Sequence, residues 1–400
     1  MSNEISKPIG RRSVLKGAGV IGAGLVGSKL GFPTSTAHAE DYVTIGSMSP
    51  LTGSQAAYGT FITQGQMLFE EQFNKAGGFR SGPEKGKLLK VIYEDDGEGT
   101  GTPDAALSAF RKLVQVDGVK AVSGIVLSSV ALPLAPIAES SKCVVIAIDP
   151  TTPKLSEFKN FFRITESSDT AGPSFAGCVY KAGFKNVNFL WVNDPAGVGF
   201  HDKFIPAFEQ LGGKVVQDLG IAVGATDFKT EITRCMTSGA DCNVVLGHEG
   251  EILVLFKQAN DLGFVHPKTE WFSAYYSEEM LAKGGAAFEN SYAKQYHVPR
   301  ETDGYRKFEE AFRAKYGADV EIAYFTLAAY DALTALAQAI EAGGYDYDAM
   351  NAELHKANFQ GVSKRIHFNE QNGDNVTTSQ DVFKVVDGKY LVQFNYDPAQ

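Results

Sequence analysis

The sequence predicts an α/β protein of two similar lobes, each a parallel sheet with helices on both faces. Three observations predict it. From Tyr42 onward, short apolar runs alternate with amphipathic stretches of helical period, and short turn-forming loops separate them. The alternation runs through two series in succession, one closing near Thr165 and the other near Ala274. Runs such as Cys143–Ile148 lack polar alternation, the pattern of a strand covered on both faces.

Val43–Met48 opens the first series as a strand that breaks at Ser49, Pro50 and Gly53. A helix follows with Phe61, Met67, Leu68 and Phe73 among Gln66, Glu70, Glu71 and Asn74, and Gly77–Gly78 stops it. Leu88–Tyr93 is the next strand. Thr102 is positioned to cap a helix with Pro103 in its first turn. Strand Val119–Ser123, a helix from about Ala131 to Ser140, and strands Cys143–Ile148 and Phe161–Thr165 complete this series. The second reads helix Thr170–Ala182, strand Val187–Val192, helix from about Gly199 to Leu211 and strand Lys214–Leu219. It continues with helix Phe228–Thr237, strand Asn243–Gly247, helix Glu251–Leu262 and strand Trp271–Ala274. After Tyr292 the pattern changes to helices Thr302–Tyr316, Ala323–Glu341 and Asp348–Ala357 and a strand-like Arg365–Phe368. The stretch LAAYDALTALAQAI is apolar nearly all round, which predicts a buried helix. Asp381–Val386 and Leu391–Asn395 form a hairpin about Asp387–Gly388.

The 400 residues are 44% hydrophobic and 21% charged, with a net charge of −10. Residues 1–39 hold Lys7, Arg11, Arg12, Lys16 and Lys29 against Glu4, so the rest is more acidic still. Phosphate repulsion makes such a chain a poor nucleic-acid binder, and no Lys/Arg-rich run follows residue 40. Residues 1–39 read as a signal peptide: GRRSVLKG, an apolar run Ala18–Val26, and a small-x-small site at Ala37-His38-Ala39 with cleavage near Ala39. The paired arginines resemble a twin-arginine signal. Gly17–Gly22 fits GxGxxG but follows no strand, so it is not a dinucleotide site. Of the four cysteines, Cys143 and Cys178 read as buried small residues. Cys235 and Cys242 bracket a short turn and are a candidate disulfide in an oxidising compartment.

Several strings then carry a family resemblance: SPLTGSQAAYG with the following helix and NKAGG, YEDD, VSGIVLSSVALPLAPIAE, IAIDPTTPKL, FFRIT before a Ser-Asp-Thr helix start, and FTLAAYDAL. In this order and spacing, residues 42–400 resemble the periplasmic solute-binding proteins of ABC importers, of the leucine/isoleucine/valine-binding type. The resemblance implies two Rossmann-like lobes joined by three crossings with a ligand cleft between them. It implies residues 42–165 plus 291–377 for lobe 1 and 166–290 plus 378–400 for lobe 2. It also implies a monomeric periplasmic receptor that needs no cofactor or metal, performs no catalysis, and hands a small solute to the importer's membrane subunits.

Site residues carry over only where the chain matches. Ser128 matches the family serine that bonds a ligand carboxylate from a helix start, with Ser129 beside it; a helix amino terminus suits an anion, and plain capping is the alternative. Thr151, in DPTT, matches the second carboxylate contact. Tyr58 matches an aromatic pocket wall, with core packing as its alternative. The second lobe departs from the pattern. Val198 stands where the family has tyrosine, His248 beside Glu249 replaces another tyrosine, and Tyr276 stands where the ammonium-pairing glutamate belongs. Asp149 occupies a usually small position. These departures imply a carboxylate or amide solute, aromatic bodies included, flanked by Tyr58, Tyr275, Tyr276 and His248. An amino acid held by a rearranged site, with Asp149 or Glu249 as its counter-charge, is the other reading. A sensory module with the same fold and a secreted cofactor-dependent enzyme are the alternative classes. The chain shows no GxSxG, HExxH, phosphate loop or metal-spaced Cys/His set to support the enzyme.

Overall fold

A computed structural model describes residues 41–53, 55–97 and 103–398. The signal segment and the Thr102 cap lie outside the described residues. The chain forms β1 (Tyr42–Ser49), α1 (Ala56–Lys75), β2 (Leu88–Asp95), α2 (Asp104–Arg111), β3 (Ala121–Ser123), α3 (Ser128–Ser140), β4 (Val144–Ala147) and β5 (Phe161–Arg163). Then come α4 (Ser168–Lys181), β6 (Asn186–Val192), α5 (Pro195–Gln210), β7 (Lys214–Ile221), α6 (Lys229–Met236), β8 (Cys242–Leu246), α7 (Glu249–Asp261) and β9 (Glu270–Ser273). The last part holds α8 (Glu278–Gly284), β10 (Tyr292–Tyr296), α9 (Asp303–Tyr316), α10 (Tyr324–Gly343) and α11 (Tyr347–Leu354). It ends with β11 (Asn358–Gln360), β12 (Arg365–His367), β13 (Gly373–Asp374), β14 (Gln380–Val386) and β15 (Lys389–Tyr396).

Two sheets organise these elements. The first has the order β13-β5-β4-β3-β1-β2 and is parallel throughout; the second has the order β15-β14-β10-β9-β8-β6-β7. The core orders β2-β1-β3-β4-β5 and β7-β6-β8-β9-β10 are the same winding built twice. In each, strand order reverses beside the first strand, and the carboxyl ends there open a crevice. The chain passes between the sheets over 164–167, 297–302 and 375–379; the second crossing follows β10, which lies in the second sheet and not in the first lobe expected to resume at residue 291.

Packing follows the residue pattern. Val144–Ala147 is buried at every position, as a strand covered on both faces must be. Helix α10 buries most of its residues and packs on α1, consistent with its nearly all-round apolar surface. The hairpin turns at Asp387 and Gly388, with φ of 52° and 68°, the left-handed pair that a two-residue turn requires. It adds two antiparallel strands to the second sheet.

Three sequence expectations are corrected. Helix α5 begins at Pro195, inside the stretch expected as a loop. Asp194 caps it by accepting the Gly197 N–H at 2.7 Å, and Pro195 fits the first turn. Strand β10 was not expected, because Tyr292–Tyr296 contains no apolar run. Cys235 and Cys242 are free thiols, not a disulfide. Cys235 packs with Phe228, Ile232 and Phe256 on one face of the second sheet, and Cys242 with Phe189 and Phe272 on the other. The sheet itself separates them.

Candidate functional site

The carboxyl ends of both sheets face one cleft, open to solvent. The first lobe supplies Tyr58 from α1, Ser128 at the start of α3, and Asp149 and Thr151 after β4. The second supplies Phe200 from α5, His248 after β8, Tyr275 after β9, and Lys294 and Tyr296 from β10.

On the first wall, Ser128 is the first helical residue of α3 and is buried. Its Oγ accepts the Thr152 N–H at 3.2 Å, which leaves the hydroxyl proton free to donate. The opening N–H groups of α3 have no partner within the helix. Thr151 is held in place from behind. Arg163, fully buried, donates to the carbonyls of Pro150 at 2.8 Å and Thr152 at 3.0 Å, and its Nε pairs with Asp374 at 2.6 Å. This arginine fixes the loop on both sides of Thr151. Ser129 does not join the site: it is exposed on α3 and does not line the cleft.

The second wall differs in chemistry. His248 Nε2 lies 2.9 Å from Asp194 Oδ2, so the α5 cap also orients the imidazole. Tyr275 lines the cleft and meets Tyr58 edge-on across it at 5.9 Å between ring centroids. Tyr276 turns away, against Phe383 at 4.7 Å and Tyr390 at 4.3 Å, because adjacent residues project to opposite sides. Of the two tyrosines expected to flank the solute, only Tyr275 lines the cleft. Glu249 also stays out of the cleft, where Ser277 Oγ donates to it at 3.2 Å. Val198 is an exposed residue of α5.

Two groups of opposite sign lie in the cleft, a half-buried Asp149 and a buried Lys294. Asp149 accepts from the Tyr296 hydroxyl at 2.9 Å, a hydrogen bond that runs from one lobe to the other. Burial pushes its carboxyl up to about 6, with Tyr296 and Lys294 acting the other way. Lys294 is 4% exposed, and burial lowers its pKa against the pull of Glu166 and Asp149. The sequence reading passed over Lys294 and Tyr296. The available signal was Tyr292-Ala-Lys-Gln-Tyr296, whose period of two puts a lysine between two tyrosines on one strand face.

Fold and cleft together are those of the two-lobed solute-binding proteins. Residues 42–389 match the periplasmic binding protein family, and the chain belongs to it, as a type I member of the leucine/isoleucine/valine-binding kind that serves ABC importers. It is similar to the leucine-, isoleucine-, valine-, threonine-, and alanine-binding protein of Pseudomonas aeruginosa: 29% identical over 342 residues, 83% of this chain and 87% of that protein. It is also similar to Leu/Ile/Val-binding protein homolog 3 of Brucella melitensis, 27% identical over 90% of this chain and 95% of that one. Among solved structures, the leucine binding protein LivK of Thermotoga maritima superposes with a TM-score of 0.80 at 26% identity, over 89% of this chain and 99% of that one. A solute binding protein of R. palustris in complex with benzoate shares the fold, with a TM-score of 0.77 at 20% identity over 88% and 95% of the two chains.

Proposed function

We propose that this protein captures a small carboxylate-bearing solute with a compact apolar or aromatic body and delivers it to an ABC importer. The observation that carries this reading is the pairing, in one cleft, of a hydroxyl-and-helix-terminus anion shelf (Ser128, Thr151) with a ring-lined interior (Tyr58, Phe200, Tyr275, Tyr296). The shelf takes the carboxylate and the rings enclose the body. Capture needs no bond making; the lobes close on the solute over the three crossings, and the closed form docks on the membrane subunits. In this reading residues 1–39 direct export by the twin-arginine route, and the mature protein acts as a periplasmic monomer.

A second reading, an α-amino acid, is favoured by Asp149, whose carboxyl lies in the cleft and could pair with an ammonium group. The names of the curated relatives support it. A thermal-shift screen of the exported form against amino acids, amides, and aliphatic and aromatic acids separates the two. A binder raises the melting temperature by mass action. Stabilisation by acids without an amino group supports the leading reading, stabilisation by amino acids alone the second. A screen in which only neutral amides stabilise the protein overturns both.

A further inference from the structure

Lys294 is unusual among the charged side chains of the described residues. It lies on β10 of the second lobe, is 4% exposed, and lines the cleft. Among the described residues its Nζ makes no ion pair or hydrogen bond, and the carboxylates that act on it, Glu166 and Asp149, do so only from a distance. The carboxylates that act on it from further away are engaged elsewhere. Glu166 is paired with Lys364 at 2.7 Å and accepts from Gln380 Nε2 at 3.2 Å. Asp149 is held by the Tyr296 hydroxyl.

What surrounds the ammonium instead is rings. Its Nζ lies 4.8 Å from the Tyr296 ring centroid and 5.9 Å from those of Phe175 and Phe200. Ring faces attract a cation but replace only part of its lost hydration. A buried ammonium without a contact anion is a strongly unfavourable arrangement in a finished structure. It becomes favourable when an anion arrives from outside, and the open side of this ammonium is the solute cleft.

We propose that Lys294 is a solute-binding residue whose ammonium, on the second-lobe wall, ion-pairs with the carboxylate of the captured solute. The inference rests on the reading of the protein as a receptor for carboxylate-bearing solutes, and names the charge that selects them. A neutral amide of the same shape would leave the ammonium unpaired, so the site discriminates acid from amide. The hydroxyls of the first wall cannot provide that discrimination, because they bond either group.

Calorimetric titration with matched pairs, benzoate with benzamide and leucine with leucinamide, tests this on the wild type, Lys294→Met, Lys294→Gln and Ser128→Ala. The wild type should prefer the acid of its binding pair by at least about 10-fold. Lys294→Met should weaken that acid by at least about 30-fold and should not weaken amide binding. Lys294→Gln keeps the side-chain length and should show the same loss if the Met variant folds poorly. Acid binding that survives both lysine substitutions but falls in Ser128→Ala would overturn the Lys294 assignment and leave the receptor reading standing. A wild type that binds amides and no acid would overturn both.

Discussion

The two walls of the cleft come from the same winding of strands, yet they are chemically unlike. The wall of the first sheet offers neutral donors: the Ser128 hydroxyl, the amino terminus of α3, and Thr151 on a loop pinned by Arg163. The wall of the second sheet offers ionisable and aromatic groups: His248 on its Asp194 anchor, Tyr275, and the buried Lys294. Topology therefore repeats the crevice but does not dictate its chemistry. The backbone supplies two facing strand ends, and a few side chains decide which solute lies between them.

The shared backbone is the part of the comparison most sensitive to substitution. Gly59 on α1 and Gly197 on α5 occupy corresponding helices, and at each an added Cβ would press on a backbone oxygen: Pro50 O at 2.2 Å and Val192 O at 1.6 Å. Backbone cannot yield as a side chain tip can. Gly59→Ala and Gly197→Ala should each destabilise the protein by about 3 kcal/mol in denaturant unfolding. A large loss in one lobe and none in the other would break the symmetry argued here.

The first wall is tested by Ser128→Ala and Thr151→Ala. Each should weaken solute binding by about 1.5–3 kcal/mol with little change in melting temperature, because each removes a hydrogen bond to a charged carboxylate. Unchanged affinity in both variants would remove the anion shelf from the account.

A smaller effect reports on the inter-lobe contact. Burial raises the folded-state pKa of Asp149 to about 6, above its ordinary 3.8. The folded state thus binds this proton more tightly than the unfolded chain. The stability the group contributes is full below about pH 4 and is lost as pH rises towards 6. Asp149→Asn should therefore stabilise the solute-free protein by about 1–2 kcal/mol at pH 7 and by almost nothing at pH 4. The check is a pair of melting curves for both proteins at the two pH values; the same difference at both would refute the assignment.

The sequence exposed the first wall better than the second for a physical reason. Ser128 and Thr151 follow strongly apolar strands, Ala121–Ser123 and Val144–Ala147, and a small-residue loop after such a strand marks a crevice. Lys294 lies within a short strand, Tyr292–Tyr296, that has no apolar run, and rings of Phe175 and Phe200, more than ninety residues away in the chain, lie around it. The local signal, Tyr292, Lys294 and Tyr296 on one strand face, places the residue but not its burial. Of the two adjacent tyrosines expected at the cleft, Tyr275 lines it and Tyr276 does not, because periodicity fixes the spacing along a strand but not the direction of residues just past its end. The start of α5 was legible in Asp194-Pro195, a cap followed by a proline, but the glycines after it suggested a loop. The two-sheet architecture, by contrast, needed only the repeated alternation of apolar runs and amphipathic helices.

The central claim is that both walls hold the solute at once. Its most direct test is a calorimetric titration of the acid that binds the wild type best into Ser128→Ala, Lys294→Met and the double variant. Each single variant should retain measurable but weakened binding, and the double variant should bind far more weakly than either. A double variant that binds as well as the weaker single variant would contradict capture between two independent walls.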